Sequence, residues 1–344
     1  MVYLHEFLFL VHVAAHLLGR MLEGVMNLSF SNLIDVESVA HLDESRAYYA
    51  AKQAAGGQRG PTNYEELLTA RNNLADRSGE SRAIELIAHA GKKQVPVRVT
   101  SPSSSDPRAI YIDIHGGGFY LDSAARSDIR NARLADKLGV TVVSVDYRLA
   151  PEHPWPAAPD DCETAVLWAM AEGPAAFGAS RMLIGGASAG ATLVMTTLLR
   201  LRDKDLVHPI IGAVLQFGAY DLSGLSPGGR LFGDEWFIEA YAGHVPDKTD
   251  PDVSPLYGDV RGLPPTLLLI GALDVLLEDN LAMAVRLSAA GNDVDLRVFP
   301  ESMHGFTSHP VSMAALALDG AEKWLLNRLD QVSESGFATK VVRA

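Results

Sequence analysis

From residue 94 onward, short apolar and β-branched runs alternate with longer stretches of helical period. The strand candidates are 95–100 (VPVRVT), 109–114 (AIYIDI), 140–145 (VTVVSV), 181–185 (RMLIG), 212–217 (GAVLQF), 266–271 (TLLLIG) and 294–299 (VDLRVF). Helix-like runs lie near 124–138, 160–172, 189–202, 279–290 and 311–328. Near-continuous apolar strands separated by helices predict an α/β fold, with a mostly parallel sheet covered on both faces. In such sheets ligands sit beyond the carboxyl ends of the strands, so the chemistry is expected in the loops that follow them.

Upstream the pattern differs. Residues 1–90 read as helical and lack strand runs, with helix segments over Ser38–Arg46 and Asn63–Leu67 and a breaker at Gly56–Pro61. Phe7–Leu18 is an apolar run too short to span a bilayer as a helix, and residues 1–6 carry no Lys or Arg of a secretory signal. An amphipathic or buried helix at the protein's edge is preferred there over one lying on a membrane surface. His12 and His16 are one turn apart, but position 13 is Val where a zinc helix needs Glu, so they read as ordinary helix residues and no metal site is expected. The polar tail, 331–344, reads as a fraying end.

About half of the residues (48%) are apolar, enough for a large core. The 29 basic and 42 acidic residues give a formal charge of −13, which repels phosphate backbones and argues against nucleic acid as a partner. The single cysteine, Cys162, cannot form an internal disulfide. It reads as a small apolar core residue and fits a reducing cytoplasm, the expected location.

Four segments carry the chemistry. Gly186-Ala187-Ser188-Ala189-Gly190 matches G-x-S-x-G between a strand run and a helical run. There a sharp turn exposes a nucleophilic Ser188 Oγ and small neighbours let strand and helix approach. His115-Gly116-Gly117-Gly118-Phe119 follows the strand run 109–114. Three glycines are costly to order and make sense where bare backbone meets a ligand, so the N–H groups of Gly116, Gly117 and Ala189 are assigned to an oxyanion hole. A phosphate loop competes, but the G-x-G-x-x-G spacing and a Lys-Ser/Thr pair are both missing. His115 is read as structural, bonding the loop backbone. In the order nucleophile, acid, base, Asp274 follows the run 266–271 and His304 follows 294–299; Glu278 and Asp279 are runners-up for the acid and His309 for the base.

With those segments, the blocks Asp146–Ala158 (DYRLAPEHPWPAA), Asp250–Leu256 (DPDVSPL) and Met303–Phe306 (MHGF) resemble the hormone-sensitive-lipase-like, bacterial family IV carboxylesterases over residues 95–330. The resemblance implies an α/β-hydrolase fold with a mostly parallel eight-stranded sheet. It divides the chain into an N-terminal helical cap segment (1–90), a catalytic domain (91–330) with a cap insertion near 220–250, and the tail. It implies a serine carboxylesterase acting on short- to medium-chain acyl esters through an acyl-enzyme, with small-molecule substrates, no cofactor, and often a homodimer, for which residues 264–300 could supply a shared sheet edge. It makes Glu152 a residue that steadies loops near the site. Pocket shape is expected to depend on Phe119, Tyr120, Tyr220 and Trp236-Phe237-Ile238. Ala187 stands where the family has Asp or Thr, Ala191 where it has Gly, and Asp122 where Gly is frequent. An amidase or formamidase would use the same triad, and a non-catalytic binding protein on this fold would lack the histidine that is present here as His304.

Overall fold

The computed structural model describes residues 27–29, 33–34, 36–55, 60–74, 81–104 and 106–341, so the run Phe7–Leu18, with His12 and His16, lies outside the described residues. The strands are β1 (Asn27–Ser29), β2 (Ile84–Ala90), β3 (Lys93–Thr100), β4 (Ile110–Ile114), β5 (Thr141–Val145), β6 (Met182–Ala187), β7 (Ile210–Gln216), β8 (Thr266–Gly271) and β9 (Asp293–Phe299). They form one sheet in the order β1-β9-β8-β7-β6-β4-β5-β3-β2. Strands β2, β3 and β5 pair antiparallel and every other pairing is parallel. The mostly parallel sheet of the expectation is thus present, and three-residue β1 adds one more strand at its edge.

The helices are α1 (Leu42–Ala54), α2 (Tyr64–Asn73), α3 (Asp128–Leu138), α4 (Ala157–Phe177), α5 (Ala189–Asp203), α6 (Trp236–Ala242), α7 (Leu277–Ala289) and α8 (Ser312–Val341). Helices α4, α5 and α7 cover one face of the sheet; α3 and α8 cover the other. Strands β4, β5 and β8 are buried at every position, as the continuous apolar runs require. Between β7 and β8 the chain leaves the sheet for an inserted segment, residues 217–265, which includes α6.

Three expectations need correction. Residues 1–90 are not free of strands: β1 and β2 lie among them. Strand β2 is a largely exposed edge that closes a hairpin with β3 through Gly91-Lys92, with Gly91 at φ +62°. The last helix runs on to Val341, so residues 331–341 continue α8 rather than form a tail. At residues 293–295 the edge of β9 is taken by β1, so that part of 264–300 is not a free sheet edge.

Asp279, in the first turn of α7, is buried beneath the insertion and accepts hydrogen bonds from the Tyr220 and Asp221 amides. Burial pushes its carboxyl up to about 7, against the effect of those two donors. The unfolded chain releases this proton near the ordinary value of about 4, so this group costs the folded state stability as pH rises from about 4 to about 7. Relative to the parent, Asp279→Asn should therefore gain stability across that window in urea unfolding; a difference that stays flat with pH would contradict the assignment. Ile184 in β6 is fully buried, and Ile184→Ala should lower the unfolding free energy by about 2–5 kcal/mol with an unchanged urea m-value.

Candidate active site

Ser188 lies between β6 and α5 at φ 55°, ψ −124°. A Cβ on Gly190 would stand 2.1 Å from the Ile114 carbonyl oxygen, and one on Gly186 2.5 Å from the Gly190 backbone. Both neighbours are backbone and cannot swing aside, so only glycine fits at these two positions. The Ser188 amide donates to Gln216 O at 2.8 Å, tying the turn to the end of β7.

The loop after β4 runs against this turn. A Cβ on Gly116 would meet the Ala187 carbonyl oxygen at 2.7 Å, and Gly117 has φ +101°. The Gly117 carbonyl accepts from the Tyr120 and Leu121 amides. Among the described residues no group accepts from the N–H of Gly116, Gly117 or Ala189, the three amides assigned to an oxyanion. His115 is buried, stacks on Tyr147 (centroids 4.1 Å apart), and its Nδ1 lies 2.8 Å from Gly116 O. Burial lowers its pKa, which keeps the ring neutral with Nδ1–H donating. It bonds the loop backbone, as its reading as a structural residue requires. Asp122 has φ +76°, which accounts for the family's frequent glycine there; its carboxylate accepts from the Ser123 amide and pairs with Arg126 at 2.7 Å.

His304, after β9, brings Nε2 to 3.0 Å from Ser188 Oγ. Its Nδ1 is 3.0 and 3.2 Å from the two carboxylate oxygens of Asp274, which follows β8. The Asp274 side chain is fully buried and also accepts from the Leu276 amide. Leu273 N donates to Ser302 O at 2.9 Å, so the Asp274 loop and the His304 loop hold each other. The runners-up lie elsewhere. Glu278 and Asp279 open α7, and His309 bonds Tyr49 and Lys52.

Tyr120, Trp236 and Phe237 flank the glycine loop: the Tyr120 and Trp236 rings are 5.6 Å apart, and a Cβ on Gly118 would touch Phe237 Cβ at 3.3 Å. Phe119 and Tyr220 are each 0% exposed and offer no surface to a substrate, which corrects their placement in the pocket. Phe119 is stacked on Tyr241 at 3.9 Å, and Tyr220 is enclosed beside Gly218 under the insertion. Ile238 is buried too. Glu152 accepts from Arg71 at 2.6 Å and from Tyr64 at 3.0 Å, and the Arg71 hydrogen bond holds its carboxyl below the usual range. Arg71 also donates to the carbonyls of Tyr120 and Ala150, so α2 braces the glycine loop through this arginine. Arg71 and the α1 residues around His309 were missed from sequence; the three-residue spacing of Arg46, Tyr49 and Lys52 on one helix face was the available signal.

A family described as the alpha/beta hydrolase fold matches residues 111–308, more than half of the chain. The carboxylic ester hydrolase LipN of Mycobacterium tuberculosis is 33% identical over 229 residues, 62% of this chain and 61% of that protein's own length, under two thirds of it. An ethyl acetate hydrolase of Pseudomonas putida is 33% identical over 62% of this chain and 71% of its own. The crystal structure of the esterase LipW from Mycobacterium marinum superposes with a TM-score of 0.72 at 25% identity, covering 87% of this chain and 99% of that one. With its sheet, its elbow and its glycine loop in these places, the chain belongs to the α/β-hydrolase fold family, among the hormone-sensitive-lipase-like esterases.

Proposed function

We propose that the protein is a serine carboxylic ester hydrolase in which Ser188 is the nucleophile, His304 the general base and acid, and Asp274 the residue that orients the imidazole. One observation carries this reading: the imidazole bridges Ser188 Oγ and the Asp274 carboxylate at 3.0 Å on either side. With Nδ1–H donated to Asp274, Nε2 is left to accept the Ser188 proton as Oγ attacks the ester carbonyl. The tetrahedral oxyanion forms beside the Gly116, Gly117 and Ala189 amides, each worth about 3 kcal/mol of barrier. His304 then protonates the leaving alcohol, and a water activated by the same ring releases the acid and regenerates Ser188 Oγ–H. The presence of a correctly bonded His304 weighs against a binding protein without catalysis.

The substrate is a small ester with a short to medium acyl chain. Phe237 and Trp236 of α6 stand beside the glycine loop, where they would meet the acyl chain. Among the described residues no helix is long and apolar enough to cross a membrane. A reducing cytoplasm remains the setting that the lone, buried Cys162 fits.

Hydrolysis of p-nitrophenyl esters should fall as the acyl chain lengthens from acetate to decanoate. Trp236→Ala and Phe237→Ala should shift that limit to longer chains; an unchanged chain-length profile in both would remove these rings from the acyl site. Ser188→Ala should lower kcat by about 10⁴-fold or more, and turnover in that variant equal to the parent's would end the triad assignment. Matching p-nitroanilides run beside the esters separate an amidase from an esterase.

A further inference from the structure

The loop that carries His304 is held from two sides. On the sheet side, Thr307 Oγ1 donates to Gln216 Oε1 at 2.9 Å, and the Phe217 ring meets the His304 ring edge-on at 5.2 Å. On the other side stands α1, which presents Arg46, Tyr49 and Lys52 at three-residue spacing. Arg46 pairs with Glu301 at 2.8 Å. Tyr49 Oη is 2.9 Å from His309 Nδ1, and Lys52 Nζ is 3.0 Å from His309 Nε2. Glu44, two residues before Arg46, accepts from the Ser312 amide at 3.2 Å.

The donors fix the direction of this chain of bonds. A lysine ammonium only donates, so His309 Nε2 is bare and the ring proton sits on Nδ1. Nδ1–H therefore donates to Tyr49 Oη. The groups facing His309 are Lys52, Tyr48 and Tyr49 of α1 and His304 of its own loop. Burial, with Lys52 and His304 adding to it, pushes the His309 pKa down to about 4, so the ring stays neutral through the range in which an esterase works. The contacts fall on residues 301, 309 and 312, which straddle His304.

We infer that Tyr49, Lys52 and His309 are positioning residues: they hold, from outside the site, the loop that sets the distance between the His304 imidazole and Ser188. The inference rests on the reading of His304 as the catalytic base. None of the three touches the reacting atoms. A displacement of about 1 Å at a reacting group can cost 10²-fold in rate, so loss of this bracing appears in kcat while ester binding is spared.

The test uses the full chain with Tyr49→Phe, His309→Leu, His309→Gln and the double variant Tyr49→Phe/His309→Leu. Values of kcat and KM on p-nitrophenyl acetate are measured beside near-ultraviolet circular dichroism and Tm. Tyr49→Phe and His309→Leu should each lower kcat about ten- to a hundredfold, with KM within about twofold and the dichroism spectrum kept. His309→Gln should recover most of the rate, because its carbonyl accepts from Lys52 and its amide donates to Tyr49. The double variant should be no slower than the slower single, since either change breaks the same chain. Single variants within twofold of the parent, a glutamine variant as slow as the leucine one, losses that multiply in the double, or losses that track a fallen Tm would each overturn the inference. Ser188→Ala runs in parallel. If it keeps turnover, the triad reading fails; if it is inactive while Tyr49→Phe and His309→Leu match the parent, only the positioning role fails.

Discussion

The constraint on which the site depends is the backbone of Ser188, held at a positive φ that a residue with a side chain adopts only at a cost of about 1–3 kcal/mol. The surroundings leave it no alternative. Its amide is bound to the end of β7, Gly186 and Gly190 pack against each other and against the Ile114 carbonyl, and α5 begins at the next residue. That start of α5 leaves the Ala189 N–H without an intrahelical acceptor, on the side where Gly116 lies against Ala187 and Ser188. One strained turn therefore presents the Ser188 hydroxyl and, beside it, an amide free to meet an anion. The cost is borne by the close packing of β4, β6 and α5, whose side chains are nearly all buried.

The partners of Ser188 come from distant parts of the chain, 86 and 116 residues on, and nothing local fixes their positions. The parallel order β6-β7-β8-β9 does it by bringing all four strand ends to one rim. Hydrogen bonds across the rim then set the distances: Leu273 to Ser302 joins the two loops, Leu276 to Asp274 turns the carboxylate, and Thr307 to Gln216 pulls the histidine loop toward the elbow. A buried carboxylate with its bonds satisfied keeps the imidazole in one tautomer, and a half-exposed imidazole can still reach an ester.

The sheet and the meeting of Ser188, Asp274 and His304 were legible in the sequence for the same reason. Strands buried on both faces must be written as unbroken apolar runs, and a strand end followed by an unusual loop marks chemistry. Strand β2 escaped because it is an edge: Ile84-Glu85-Leu86-Ile87 is mostly exposed, so no buried face imposes a pattern on it. Helix α6 escaped because its seven residues are too few to display a period. Phe119 and Tyr220 were legible as aromatic residues near the site, but which way a ring turns depends on Tyr241 and on the inserted segment, and those contacts are set by tertiary packing alone.

Among the described residues, β1, Leu33 and α1 all converge on β9 and its loop. Strand β1 lies along β9, Leu33 O accepts from the Val298 amide, and α1 reaches Glu301, His309 and Ser312 just beyond β9. Edge strands expose unpaired amides and carbonyls, and β9 is the strand that delivers His304. A strand of the same chain covers residues 293–295 of that edge, Leu33 O takes the Val298 amide further along, and α1 braces the loop beyond. The contacts that join Ser188, His304 and Asp274 are likewise made within one chain, so the strand order and the loops of that chain alone set their distances.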